Sequence, residues 1–299
     1  VSGNTVLDNQ DGTNAAITLS NAANAFTGTV TFTTDTASNV SLTDTTALDL
    51  QSALSVNDLT IVAGGAITQS GALTVAGISS FTAGASAITL TQATNDFTGA
   101  VSLNNSGSNN VGVTDVNAID LGTIGVGQNL TVTAGGAITD SGVASVGGTS
   151  TFDNSAGSNA AIDLGSSSTY TGNVTFTTDA GSDVTINDST AFVIQSGLNV
   201  NNLNLTSGGT VTDAGNIDID GTLTVSAAGQ TVTLDGTGND VTGNVTLIGA
   251  AVTLVDTTAT AIAGITATGA LNVTSAGAIT QSGVITNDGQ TATLNAGAN

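Results

Sequence analysis

Apolar and polar residues alternate along almost the whole chain, in short bursts that return about every 8 to 12 residues. Residues 101–103 (Val-Ser-Leu), 111–114 (Val-Gly-Val-Thr), 130–133 (Leu-Thr-Val-Thr) and 149–152 (Thr-Ser-Thr-Phe) are typical. Gly, Asn, Ser and Asp fill the gaps, and these residues favour turns. A period of two predicts short strands with one face buried, and no stretch shows the period of a helix. Val, Ile and Thr, which suit a pleated surface, are frequent throughout.

The bursts are organised into a long repeat. One landmark is an aromatic residue or Val followed by Thr-Gly, at Phe26, Phe97, Tyr170 and Val241, which are almost evenly spaced. A second is a strand-like segment ending in Asp, at Asp44, Asp115, Asp188 and Asp256, with nearly the same spacing. A third is the run LTIVAGGAITQSG and its variants, ending at Gly71, Gly142, Gly215 and Gly283. A fourth is an apolar residue closing an alternating segment, at Phe81, Phe152, Val225 and Leu294. Four points recurring in step divide the chain into approximate repeats 1–71, 72–142, 143–215 and 216–283, with a partial copy over 284–299.

Strands this short and this regular do not suit the long antiparallel strands of a sandwich. They predict an all-β fold, a right-handed parallel β-solenoid (β-helix) running over 1–299 as a single continuous domain. It would have about 12 coils in four repeats of about 72 residues, three unequal coils to each repeat. Direct stacking of equivalent residues would explain why Phe32, Leu103, Phe176 and Leu247 all stay apolar. Absence of Pro fits, because Pro would remove a ladder donor from an interior strand.

Composition narrows the function. The chain has 22 acids, all Asp, and no Lys, Arg or His, for a formal charge of −22. Nucleic-acid phosphates are bound by Lys and Arg, so nucleic acid is excluded as a partner, and anionic lipid is disfavoured for the same reason. No apolar run approaches the ~20 residues that span a bilayer, so membrane insertion is not expected. Without Cys there are no disulfides and no thiolate metal sites. The chain does not begin with Met and shows no cap at either end. The expected partners are therefore further repeats of a longer parent chain or other copies meeting end to end, since uncapped sheet edges template association.

The segment LTVTAGGAITDSG at 130–142, followed by VASVGGTSTF, resembles the haemagglutinin-type repeats of large bacterial exoproteins, including filamentous-haemagglutinin-like adhesins. The longer unit, with SAITLTQATNDFTG at 86–99, resembles the repeats of giant bacterial β-strand-repeat surface proteins. The resemblance covers essentially the whole chain. It implies a β-helix shaft, a bacterial source, a cell-surface or secreted location, and a host or neighbouring cell as the surface contacted.

Candidate chemistry is sparse. Lyases on parallel β-helices need a Lys or Arg base, which is missing here. Hydrolysis by paired carboxylates would need two acids at a fixed separation. Asp44 with Asp49, and Asp115 with Asp120, are near in sequence, but the third and fourth repeats carry Val193 and Ala263 in place of the second acid. No enzymatic activity is expected. Calcium favours oxygen ligands, and Asp44, Asp115, Asp188 and Asp256 are the candidate metal residues. Whole repeats separate them, however, so they read as acids ending strands in turns, and no cofactor is expected beyond calcium bridging between rods. Thr-x-Thr segments such as 131–133 would order water as an ice-binding surface does only if they recurred on every coil, which the sequence does not suggest. The Asn173-Val174-Thr175 glycosylation pattern is expected from composition alone. The reading that remains is structural: a rigid shaft or fibre segment of a bacterial adhesin. The alternatives are a self-assembling filament subunit and a glycan-binding module, the last weakened by the scarcity of aromatics.

Overall fold

The computed structural model describes residues 1–10, 13–51 and 53–297. It forms two compact units, Val1–Ala156 and Gly157–Asn299. Among the described residues there are 37 short strands and no helix. Within each unit the strands pair in parallel with strands one turn away in sequence, which makes each unit a β-solenoid.

Three sheets form the walls of the first unit. One contains Thr5–Asp8, Val30–Thr33, Leu48–Leu50, Ile67–Gln69, Ile88–Leu90, Val111–Asp115, Leu130–Ala134 and Ser150–Asp153. The second runs through Ile17–Leu19, Val40–Asp44, Leu59–Ala63, Ser79–Thr82, Val101–Asn104 and Ile119–Val126. The third contains Leu54–Val56, Leu73–Val75 and Asp96–Phe97. The second unit is likewise three-walled. Its first sheet includes Asp183–Asp188, Asn202–Ser207, Leu223–Ala227 and Asn244–Gly249; its second runs from Phe192–Ile194 to Ala292–Ala296; its third contains Asn199–Val200, Asp218–Ile219 and Asp240–Val241.

One turn takes about 20 residues, at the short end of the range for solenoid repeats. The step is nearly constant along the register Leu48, Ile67, Ile88, Val111, Leu130, Ser150, and again along Phe192, Val211, Val232, Val252, Leu271, Ala292. Alternation drives this winding. In Val40–Asp44 the first, third and fifth side chains are buried and the others half-buried, and most strands repeat that pattern. The core is thin and mostly Val, Leu and Ile, with Phe81 and Phe97 packed edge to face at 6.3 Å.

The sequence repeat does not coincide with a whole number of turns. Val40–Asp44 and its counterpart Val111–Asp115 are ten strands apart in chain order, as are Asp183–Asp188 and Val252–Asp256. The step between Val111–Asp115 and Asp183–Asp188 is eight, because Ile119–Val126 and Ile162–Tyr170 are long strands that each pair at two separate stretches. At three strands per turn, ten strands make three and a third turns. Each repeat therefore hands its elements to the next sheet. Val40–Asp44 lies in the second sheet of its unit and Val111–Asp115 in the first; Asp183–Asp188 lies in the first sheet of its unit and Val252–Asp256 in the second. This corrects the expected stacking of equivalent residues. Phe32 stacks on Leu7, Leu103 on Phe81 and Leu247 on Val225. With about seven turns in each unit the total is near the expected dozen, but the three unequal coils per repeat are replaced by turns of similar length.

Candidate functional site

Three of the four sequence landmarks meet in one place. A strand ending in Asp carries that residue in the inward phase of its alternation, so the carboxylate enters the wall of the solenoid. Asp44, Asp115, Asp188 and Asp256 are only 1–2% exposed. Each accepts a hydrogen bond from the backbone N–H of the aromatic or Val landmark on the preceding turn: Phe26 at 3.2 Å, Phe97 at 2.9 Å, Tyr170 at 3.2 Å and Val241 at 3.3 Å. Each also accepts from the N–H two residues on, at Thr46, Asn117, Thr190 and Thr258. The carbonyl of the same Asp then accepts from the following turn, from Gly64, Gly135, Gly208 and Ala276, at 2.8 to 3.0 Å. One residue thus binds three successive turns and satisfies backbone donors that burial would otherwise strand.

The glycines belong to the same corner. A Cβ built at Gly64 would run into the Thr45 carbonyl, one at Gly135 into that of Val116, and one at Gly208 into that of Ser189. Gly28, Gly99 and Gly243 of the Thr-Gly landmarks are pressed against the carbonyls of Gly3, Gly77 and Gly221. The turns approach too closely for a side chain.

A further member was not singled out from the sequence. Two residues before the aromatic or Val stand Asn24, Asn95, Ser168 and Asn239. Their carbonyls accept from Thr45, Val116, Ser189 and Thr257 of the next turn. Asn95 is fully buried; its side chain accepts from the Leu73 N–H and donates to the Leu90 and Thr114 carbonyls. Its recurrence in three of four repeats was the available signal.

The electrostatics follow from burial. Desolvation raises the pKa of Asp115 above the ordinary 3.8; hydrogen bonds from Asn117 and Phe97 oppose this, and the charge of Asp96 adds to it. Desolvation likewise raises Asp188, opposed by hydrogen bonds from Thr190 and Tyr170. The corners differ at the second carboxylate oxygen. In Asp256 it accepts from the Thr260 hydroxyl at 2.8 Å. In Asp44 and Asp188 the Oδ2 atom is buried without a partner, because Leu48 and Phe192 stand where Thr260 does.

The four acids do end their strands and accept from the turn that follows, as expected, but they do so from inside the wall. They are interior hydrogen-bond acceptors, and within each unit the two lie in different sheets. The carboxylate pairs are not brought together. Asp44 faces inward, whereas Asp49 faces outward and accepts from Gln51, Thr68 and Ser70; Asp115 is buried and Asp120 half-buried on the outward phase. Among the described residues no three acids converge as metal ligands would. Outward Thr recurs on some turns but not on all: one row reads Asp49, Thr68, Thr89, Gly112, Thr131 and Thr151.

No curated protein and no solved structure matches the chain. A family model described as "Repeats of unknown function" (DUF5649) matches residues 1–33, 37–104, 108–177, 181–248 and 249–299. Its copies start at 37, 108, 181 and 249, in step with the buried aspartates at 44, 115, 188 and 256. With matches running almost the full length of the sequence, the chain belongs to this family of repeats of unknown function.

Proposed function

We propose that this chain is a structural shaft segment of a large bacterial surface or secreted protein, with a mechanical rather than a chemical task. One observation carries the reading: what the repeats keep is what ties turn to turn. The four Asp corners, the small residue on the following turn (Gly in three, Ala in the fourth) and the Asn or Ser before each landmark are buried or closely packed against the next turn, while the outward positions vary among Thr, Ser, Asn, Gly and Asp. A binding or catalytic repeat would instead keep an exposed group. The resemblance to haemagglutinin-type and β-strand-repeat exoproteins supports the surface location and the adhesin context, as does a chain without Lys or Arg for trypsin-like proteases to cut.

Pulling the chain from its two ends in single-molecule force spectroscopy tests this. A shaft yields turn by turn, each turn of about 20 residues releasing about 70 Å of contour. Extension at negligible force, without such steps, would overturn the proposal. Antibody labelling of intact producing cells tests the location, and labelling only after lysis would remove it.

A further inference from the structure

The ladder joining one turn to the next is interrupted in the second unit between Val174–Thr177 and Phe192–Ile194. Val30 pairs with Leu50 in the first repeat, Val101 with Leu121 in the second and Val245 with Ile262 in the fourth. Their third-repeat counterparts, Val174 and Ile194, lie in strands of different sheets, Val174–Thr177 and Phe192–Ile194, which do not pair. The third repeat is also the one that places aromatic rings at both facing core positions. It has Phe176 and Phe192 where the others have Phe32 and Leu48, Leu103 and Ile119, or Leu247 and Thr260. Phe176 is half-buried, whereas Phe32, Leu103 and Leu247 are fully buried. The chain then turns at Gly197, with φ at +81°.

The result is an apolar cleft with about 40 Å³ of free volume, lined by Val174, Phe176, Phe192, Ile194, Leu198 and Leu203. That holds about three water molecules or one branched aliphatic side chain. A wider groove of about 390 Å³ adjoins it, sharing Gly197 and Leu198 and walled by Asn199, Asn216, Asp218 and Asp240. Asn199, Asp218 and Asp240 are in register on successive turns, with their backbones about 4.8 Å apart by strand spacing. The Asp218 N–H donates to the Leu198 carbonyl at 2.8 Å, which seats this row on the rim of the cleft. Burial raises the pKa of Asp218, and the charges of Asp220 and Asp240 raise it further. The chain has no basic side chain to neutralise them.

We propose that cleft and groove together dock a peptide carrying Lys or Arg beside an aliphatic residue. The aliphatic side chain fills the cleft, and the cation lies against Asp218 and Asp240. The apolar pocket supplies the anchor and the carboxylate row supplies charge complementarity.

Fluorescence anisotropy with a dye-labelled Ser-Leu-Lys-Leu-Lys-Ser peptide tests it, with Ser-Ala-Lys-Ala-Lys-Ser as the control of equal charge. The leucine peptide should bind, and the alanine peptide about tenfold more weakly. Ser196→Trp, at an exposed position that lines the cleft, puts a ring over the apolar space and should weaken the leucine peptide by a similar factor. Asp218→Asn with Asp240→Asn, both half-buried on the groove wall and isosteric so that the amide oxygen can still accept from the Thr258 hydroxyl, should do the same while circular dichroism stays unchanged. Equal binding of the two peptides, or unchanged affinity in Ser196→Trp, would show that the acidic surface alone holds them and would overturn the proposal. Absence of binding at millimolar leucine peptide would overturn it as well.

Discussion

The corners at Asp188 and Asp256 occupy the same place in the repeat and differ by one partner. Both carboxylates are 1% exposed, and both accept from the preceding turn and from a Thr two residues on. Asp256 has Thr260 beneath it, and its second oxygen is satisfied; Asp188 has Phe192, and its second oxygen is not. Thus a hydroxyl four residues after the acid completes the Asp256 corner, whereas the Asp115 corner, with Ile119 there, is completed by splitting its two backbone donors between the two oxygens. A buried acceptor left unmade costs about 1–3 kcal/mol, more than a made hydrogen bond returns.

The largest effect should come from deleting the acid. Asp256→Ala strands donors at Val241, Thr258 and Thr260 and should destabilise its region by about 3 kcal/mol. Asp188→Ala should cost about 1 kcal/mol less, because it also removes an unpaired oxygen. Urea unfolding of the two variants, with hydrogen exchange to localise the loss, checks the order; equal losses would break the distinction. Next, Thr260→Val keeps the shape and removes the hydroxyl, turning the Asp256 corner into a copy of the Asp188 corner. A loss of about 1–2 kcal/mol is expected, and no loss would mean that the hydroxyl contact is idle.

The smallest effect is on pH dependence. Asp115 and Asp188 have folded-state pKa values above the ordinary 3.8, so the folded chain holds their protons more tightly than the unfolded chain does. Their favourable contribution is full below pH 3.8 and is lost as pH rises through the folded-state values. Melting temperature should therefore fall as pH is raised from 3.8 toward neutrality. Asp188→Asn, which mimics the neutral form, should flatten part of that slope. An unchanged slope in the variant would assign the dependence to general repulsion among the surface acids.

The fold class is legible in the sequence because a period-two alternation leaves few alternatives once it recurs on a long repeat. The length of a turn is hidden by that same repeat: each copy holds three and a third turns, so matching landmarks never marks a turn. The clue lies in the spacing between different landmarks, since Phe26, Asp44 and Gly64 follow one another at close to a single turn and meet in space. The burial of Asp44 could also be read, because Val40, Leu42 and Asp44 share one phase of the alternation. Residue type argued for a turn and phase argued for the core, and both hold, because the acid ends its strand at a corner that supplies buried backbone donors. The cleft was not legible, because Phe176 and Phe192 become neighbours only when the turn length is known.

Ten strands on a three-walled solenoid has a consequence for how such genes can change length. Recombination that adds or removes one repeat keeps every strand in step with its neighbours, so the fold survives. Every strand after the junction, however, passes to the adjacent wall. Copy number therefore sets azimuth as well as reach, and only a change of three repeats returns a downstream element to the side it faced before.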